Sequence, residues 1–426
     1  MSPHSLIFNK KFWPLCCTQF FGAFNDNFFK NALVILITFQ SMNLGGFSPE
    51  QLIALCGGIF IFPFFLFSAL AGQMADKYEK ARLIVYVKIL EFFIMSLAVL
   101  GFMIGSLPVL LSALFLMGLQ SSLFSPLKYS YIPQQVSSDK LVEANALLQS
   151  STFLAILMGT IFGGIVVAIP GSGTFYVSIG VMGLSVIGLL FSVGIPKASS
   201  LDAKLSIQYN PFTATCNLIH YIFTKKNIRL PILGLAWFWF YGAALLSLIP
   251  GYGKKVLGGN EQVVIFLLTL FSIGIGLGCI ACKMVSRHQL KLGLIPIGAL
   301  GLSVFLFDLF FQFPNVTNSH QSLVMFKDFI KKPGSFRIIF DFSMIAFSGG
   351  LFFVPLMTFL QTTSSKPHLS RVIAGSNIID AIFMVLASFT LIFLFSLGLN
   401  EPEIFLFLAV LNLIVTGYLS MSFMRK

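Results

Sequence analysis

"QFFGAFNDNFFKNA", Gln19 to Ala32, sets a strongly polar block inside an apolar run that extends from Phe12 to about Ser41. At about 1.5 Å of rise per residue, that run is long enough to cross a bilayer as a helix. Asn25, Asp26, Asn27, Lys30 and Asn31 then lie deep in hydrocarbon. Ionisable groups at that depth cost about 3 kcal/mol each even on lenient scales, so they need a partner or a task. Gln19, Gly22, Ala23, Asp26 and Lys30 recur at steps of three and four residues, which puts them on one helical face. Asp26 and Lys30, four residues apart, are close enough to pair. Two readings follow: the pair is mutually neutralised while the asparagines bond neighbouring helices, or the block is a polar binding patch halfway across the membrane.

The rest of the chain decides its class. Of 426 residues 57% are hydrophobic and 10% charged, with 50 Phe and a mean hydropathy of +0.91. That excludes a soluble globular chain, and the ten-residue alternating segments of a β-barrel are absent. Apolar runs of about 20 residues give twelve spans, near 12–41, 50–75, 83–105, 107–128, 143–169, 174–195, 228–250, 261–282, 290–312, 336–360, 372–397 and 402–424. The expected class is an all-α polytopic membrane protein. The first run is too long and too polar at its centre for a cleaved signal peptide, so it is expected to be retained.

Lys and Arg set the orientation. With both termini cytoplasmic, twenty fall inside, among them Lys10, Lys77, Lys80, Arg82, Lys88, Lys128, Arg287, Arg371, Arg425 and Lys426; six fall outside, Lys254, Lys255, Lys327, Lys331, Lys332 and Arg337. The net charge of +12 is therefore mostly positive-inside bias, and nucleic-acid binding is not the reading. The outer segment from Phe313 to Arg337 carries four of those six, and its "SLVMFKDFIKK" alternates apolar and basic residues at helical spacing, which predicts a helix lying flat on the outer surface. Cys279 and Cys282 have C-x-x-C spacing inside the glycine-rich "SIGIGLGCIAC", read as small helix-packing residues and not as a metal site.

Internal repetition gives the layout. "SSLFSPLKYSYIPQQ" around Pro126 is echoed by "GGLFFVPLMTFLQTT" around Pro355, each closing a span on its cytoplasmic side. "EANALLQSSTFLAILMG" from Glu143 is echoed by "IAGSNIIDAIFMVLAS" from Ile373, with Asn145 and Asn377 in like positions. The two echoes have nearly the same offset, about half the chain, so spans 4 and 5 correspond to 10 and 11. Residues 1–195 and 228–426 are expected to be two pseudo-symmetric six-helix bundles, joined by a polar cytoplasmic linker at 196–227. "GQMADKYEKAR", Gly72 to Arg82, resembles the major facilitator signature after the second span. As a conformational latch, Gly72 would allow close helix approach, Asp76 would cap or pair, and Lys77, Lys80 and Arg82 would anchor to the surface. The corresponding turn after span 8, "CKMVSRHQLK", lacks the acid. Gly159, Gly163 and Gly164 in "GTIFGG" fit close helix packing.

In a six-plus-six arrangement of that superfamily helices 1, 4, 7 and 10 line a central cavity, so Asp26 would face a path through the protein. Spans 7 and 10 offer it mainly "LGLAWFWFYGAALLSLIP" and "FRIIFDFSMIAFSGGLFFVPL". A path polar on helix 1 and aromatic elsewhere suits an amphiphile, whose head group would otherwise be dragged through hydrocarbon.

"FFGAFNDNFFKNAL", "SPLKYSYIP", "EANALLQSSTFLAILMGTIFGG", "VPLMTFLQ" and "RVIAGSNIIDAIFMV" together resemble the bacterial lysophospholipid transporter family of the major facilitator superfamily. They also resemble the transporter module that some bacteria fuse to an acyltransferase and an acyl-carrier-protein ligase. The resemblance implies a multi-pass protein of the bacterial cytoplasmic (inner) membrane. It implies that lysophospholipids such as lysophosphatidylethanolamine move from the outer to the inner leaflet by alternating access, to be re-acylated by a separate acyltransferase/acyl-ACP synthetase. Carried over, Asn25, Asp26, Asn27 and Lys30 become the head-group site, with Lys128, Asn145, Arg371 and Asn377 as secondary members. No histidine is followed five positions on by aspartate, as the acyltransferase H-x-x-x-x-D motif requires, so acyl transfer is expected elsewhere and the chain is read as no enzyme, with no cofactor and no metal. The alternative is a proton-coupled exporter of drugs or siderophores, for which Asp26, Glu91, Asp308, Asp341 and Asp380 are acids in or near spans; Glu91 and Asp380 are read more simply as helix contacts.

Overall fold

The computed structural model describes residues 6, 9, 11–39, 49–286, 289–312 and 324–424. Lys10, Arg287, Arg425 and Lys426, counted above as inner charges, and the stretch from Phe313 to Leu323 lie outside the described residues. The described chain forms fourteen α-helices: α1 (Trp13–Phe39), α2 (Pro49–Lys77), α3 (Lys80–Ile104), α4 (Leu107–Gln135), α5 (Leu141–Val167), α6 (Gly173–Val193), α7 (Pro211–Thr224), α8 (Lys226–Gly251), α9 (Glu261–Ser286), α10 (Leu294–Gln312), α11 (Phe326–Lys331), α12 (Ser335–Thr363), α13 (Leu369–Ser396) and α14 (Glu401–Met424). Eleven are long and apolar enough to cross a membrane. The twelfth long helix is α1, 27 residues, whose polar block lowers its hydropathy.

Helix ends follow local chemistry. Glu79 caps α3 by accepting from the backbone N–H of Ala81 and Arg82, both at 2.9 Å, and α3 stops at Gly105, whose φ of 64° suits a residue without Cβ. Burial opposes ionisation of Glu79, but N–H groups of Ala198, Arg82 and Ala81 outweigh it and hold the carboxyl below its ordinary range. The two echoed stretches do close their helices, but the prolines within them do not interrupt them: α4 runs through Pro126 and Pro133 to Gln135, and α12 through Pro355 to Thr363. Pro133 cannot donate to the carbonyl of Tyr129 four residues back, and Gln361 Nε2 takes that place at 2.9 Å. The repeat appears in the turns as well. A 3-10 turn at Ser138–Lys140 leads into α5 and another at Lys366–His368 leads into α13, an offset of 366 − 138 = 228.

The chain divides into two compact units, Met1–Ile228 with Gln361–Ile378, and Arg229–Leu360 with Ile379–Lys426. In the first, α1 lies directly on α5: a Cβ added at Gly159 or Gly163 would strike the backbone carbonyls of Phe24 and Phe28, and Asn31 Nδ2 donates to Thr160 O at 2.6 Å. Small residues buy this close approach, as a membrane bundle requires. Phe29, Leu33, Met95, Leu110 and Met117 fill the core beneath. In the second unit Asn412 joins three helices, donating to Ala299 O at 2.6 Å and accepting from Trp237 Nε1 at 2.8 Å. Cys279 and Cys282 are buried in α9, and neighbouring Gly278 abuts the Phe347 carbonyl of α12.

Three expectations need correction. The stretch read as a polar linker contains α7, started by Pro211 and by Asn210, whose side chain accepts from Phe212 and Thr213 N–H; Ala214, Leu218 and Ile222, four residues apart, bury one stripe. Lys88 is not a cytoplasmic loop charge: it is fully buried within α3. Among the described residues of the outer segment, α11 supplies six helical residues ahead of α12, with Phe329 buried, and Val324 is pinned by backbone bonds to Gly258 O (2.7 Å) and from Asn260 N (3.0 Å).

Candidate functional site

The polar block of α1 meets α3 and α4 inside the first unit. Lys88 and Glu91, one turn apart on α3, form an ion pair with both side chains sealed from solvent. Glu91 also accepts from Gln120 Nε2 at 3.0 Å and from Asn25 Nδ2 at 3.3 Å. Lys88 occupies a slot that two glycines leave open: a Cβ at Gly22 of α1 would stand 2.9 Å from its Nζ, and one at Gly188 of α6 3.1 Å. A buried carboxylate with a cation and two amides on its oxygens is well satisfied, which is the condition for keeping such a pair in a core.

Asp26 is held differently. Ser121 Oγ donates to its Oδ2 at 3.0 Å, while its Oδ1 is buried without a hydrogen-bond partner, as is Oδ1 of Asn25. Lys30 is half-buried, its Nζ 5.6 Å from the centre of the Phe60 ring, and it makes no ion pair with Asp26 within 4 Å. The direct ion pair considered from the four-residue spacing is therefore not formed. Lys128 Nζ donates to Gln19 Oε1 at 3.1 Å and lies 5.0 Å from the Tyr129 ring centre. Ser121, Ser125 and Lys128 follow at steps of four and three on α4, so one face of that helix carries contacts to Asp26, Asn377 and Gln19. Asn377 Oδ1 accepts from Ser125 Oγ at 3.1 Å, and its Nδ2 is buried without a partner. The result is a strip with cations at Lys30 and Lys128, vacant acceptors on Asp26 and Asn25, and a vacant donor on Asn377. Such a strip can bind a solute that carries both an anionic and a donor group.

Other residues named from sequence lie elsewhere. Asn27 turns its amide back to Ala23 O at 2.8 Å and packs toward Gly159 of α5. Asn145 is engaged by Gln361 at 2.6 Å. Arg371 belongs to the latch: Asp76 accepts from the backbone N–H of Ser370 (3.1 Å) and Arg371 (3.3 Å) and from Arg371 Nε (2.8 Å), capping the first turn of α13. Arg371 Nη2 also reaches Asp202 Oδ2 at 3.2 Å. A Cβ at Gly72 would stand 2.7 Å from that of Ala374, so the close approach expected of this glycine is real. Lys80 departs from its expected role as a surface anchor: it is fully buried, its N–H on Ala198 O at 3.3 Å and its ammonium 3.0 Å from the Gln134 amide oxygen. Lys77 is half-buried beside the Tyr78 ring, and Arg82 is exposed.

Removing the Asp76 carboxylate orphans two N–H groups and one side of a guanidinium. Asp76→Ala is expected to cost about 2 kcal/mol, and a double-mutant cycle with Arg371→Ala to give a coupling of about 1 kcal/mol or more, read from thermal unfolding in one detergent. Additive losses would mean that the two residues act independently.

Sequence reasoning missed Lys88, Gln120 and Ser121, while Glu91, read from sequence as a helix contact, does join α3 to α1 and α4. The signal was present in "LIVYVKILEFFIM", where Lys88 and Glu91 fall one turn apart in an otherwise apolar run.

Comparison with known proteins places the chain. Lysophospholipid transporter LplT of Cronobacter sakazakii is 26% identical over 374 residues, 86% of this chain and 83% of the relative. The LplT of Klebsiella pneumoniae is 25% identical over 385 residues, 89% of this chain and 87% of the relative. Among solved structures, the transporter FucP in its outward conformation superposes with a TM-score of 0.73 at 14% identity, covering 98% of this chain and 99% of FucP. The human organic anion transporter MFSD10 gives 0.72 at 11%, covering 98% and 100%. These likenesses show the fold, an all-α polytopic membrane protein of twelve long helices. The Major Facilitator Superfamily profile matches residues 15–388, and the chain belongs to that superfamily.

Proposed function

We propose that the protein transports lysophospholipids, taking them from the outer to the inner leaflet of the bacterial cytoplasmic membrane by alternating access. Re-acylation would be the task of a separate enzyme. The observation that carries this reading is the strip on α1 and α4: cations at Lys30 and Lys128 that make no ion pair within 4 Å among the described residues, together with vacant acceptors on Asp26 and Asn25, in a helix flanked by phenylalanines. A phosphate-bearing head group would replace its hydration with these groups while its chain stays against apolar side chains. Likeness to LplT over most of the chain supports the cargo, and the positive-inside count supports cytoplasmic termini. Lys30, Asp26 and Asn25 are the proposed head-group contacts, with Lys128 and Asn377 extending the strip. In this cycle the Asp76 cap on α13 is the contact that breaks and re-forms.

Uptake of labelled lysophosphatidylethanolamine by vesicles containing the protein tests the proposal. Wild type is expected to accumulate the lipid, and Asp26→Ala and Lys30→Ala to lose most of that uptake. Efflux of cationic drugs that follows a pH gradient, with no lysolipid uptake, would support the exporter instead.

A further inference from the structure

The second unit holds a cavity of about 500 Å3 between the end of α10 and the start of α12. Phe305, Phe311 and Phe340 line it together with Asp308, Arg337 and Asp341. Arg337 grips Asp308 with two donors, Nε at 2.7 Å and Nη2. Its Nη1 makes no hydrogen bond among the described residues, and the side chain is 57% exposed. Asp341 is 1% exposed, and Gln312 Nε2 bridges it (2.5 Å) to Asp308 (3.2 Å). Arg337 thus pairs with Asp308, and Gln312 ties the buried Asp341 to that pair. Behind them Tyr252, its ring 5.6 Å from that of Phe342, buries a hydroxyl that has no hydrogen-bond partner.

The cavity opens on a helix face that looks to lipid. Ile297, Leu300, Val304 and Phe311 form an exposed apolar stripe along α10, and Phe340 of α12 is exposed beside it. Charged groups at the base of an aromatic groove in such a stripe are costly unless they are used. Apolar walls take an acyl chain, the 28% exposed Asp308 carboxylate takes a cation, and the free edge of a guanidinium takes a phosphate.

We propose that this groove docks a membrane phospholipid whose head group carries a primary ammonium beside its phosphate, the ammonium on Asp308 and Asp341 and the phosphate on Arg337. Charge complementarity selects that occupant: an anionic head group without the ammonium meets two carboxyl groups for one guanidinium. The proposal does not rest on lysophospholipid transport.

Phe311→Trp, at a rim position that is 65% exposed, places a fluorescent reporter at the groove. The full chain carrying it is reconstituted with phosphatidylethanolamine or phosphatidylglycerol brominated on the acyl chains, and the quenching of the three natural tryptophans is subtracted using the unsubstituted protein. The expected result is a relative binding constant about tenfold in favour of the ethanolamine lipid, the size of a charge-assisted hydrogen bond at a partly exposed site. Asp341→Asn is expected to bring that preference close to unity; Asp308→Asn, nearer the rim, gives the same readout should the buried substitution prevent folding. Asp26→Ala is expected to leave the preference unchanged. Equal quenching by the two lipids, or a preference that survives the loss of either carboxylate, would overturn the proposal.

Discussion

Lys88→Ala is expected to destabilise the protein by about 3–5 kcal/mol, the loss typical of removing one member of a buried ion pair. The argument is one of solvation. Glu91 is 1% exposed and accepts from Lys88, Gln120 and Asn25. With the ammonium gone, no water or other cation reaches it, and the remaining amides do not neutralise a carboxylate in a membrane core. The double substitution Lys88→Met with Glu91→Gln removes both charges while leaving an amide oxygen for Asn25 and Gln120. It is expected to recover most of the loss, because the pair's own attraction largely offsets its desolvation. Denaturant unfolding of wild type, single and double variants in one detergent checks this. A single variant within about 1 kcal/mol of wild type would show that the pair is less isolated than its geometry implies.

Asp26→Ala is the second large effect, and it is expected in uptake with little change in stability. Asp26 has one hydrogen bond, from Ser121, and one buried oxygen without a partner. Alanine removes an unsatisfied group along with a satisfied one, so folding loses about 1 kcal/mol or less. A bound ammonium or hydroxyl donor, by contrast, would lose its charged acceptor, a loss of about 1.5–3 kcal/mol that corresponds to one to two orders of magnitude in affinity. Lys30→Ala is expected to behave alike, since Lys30 has an aromatic neighbour at 5.6 Å and no ion pair to lose. The contrast with Lys88 is the useful part: one charged residue is expected to hold the first unit together, and the others to act in binding. Equal loss of stability in all three variants would erase the distinction.

How far the sequence carried this picture depended on the kind of signal. The twelve long helices were legible because length and apolarity are what the membrane demands of each segment alone, and most observed ends lie within a few residues of the expected ones. Gly72, Gly159 and Gly163 were legible because glycine in a membrane helix marks close approach. Lys88 was misplaced because charge counting assigns a lysine near a span end to the loop, whereas Glu91 one turn on makes its burial possible. Asn145 and Arg371 were grouped with the site by resemblance, although Gln361 and Asp76, distant in sequence, engage them elsewhere in the first unit. Partners far apart along the chain are what spacing rules do not reach. Likewise α7 was hidden because its buried stripe of Ala214, Leu218 and Ile222 is short and flanked by polar residues.

Native mass spectrometry of gently extracted protein tests the central claim most directly, namely that the acid and amine of α1 hold the head group of a single-chain lipid. Wild type is predicted to retain one single-chain phospholipid, and Asp26→Asn combined with Lys30→Met to retain none under the same extraction. Retention of that lipid by the doubly substituted protein, or of cationic drugs alone by wild type, would contradict it.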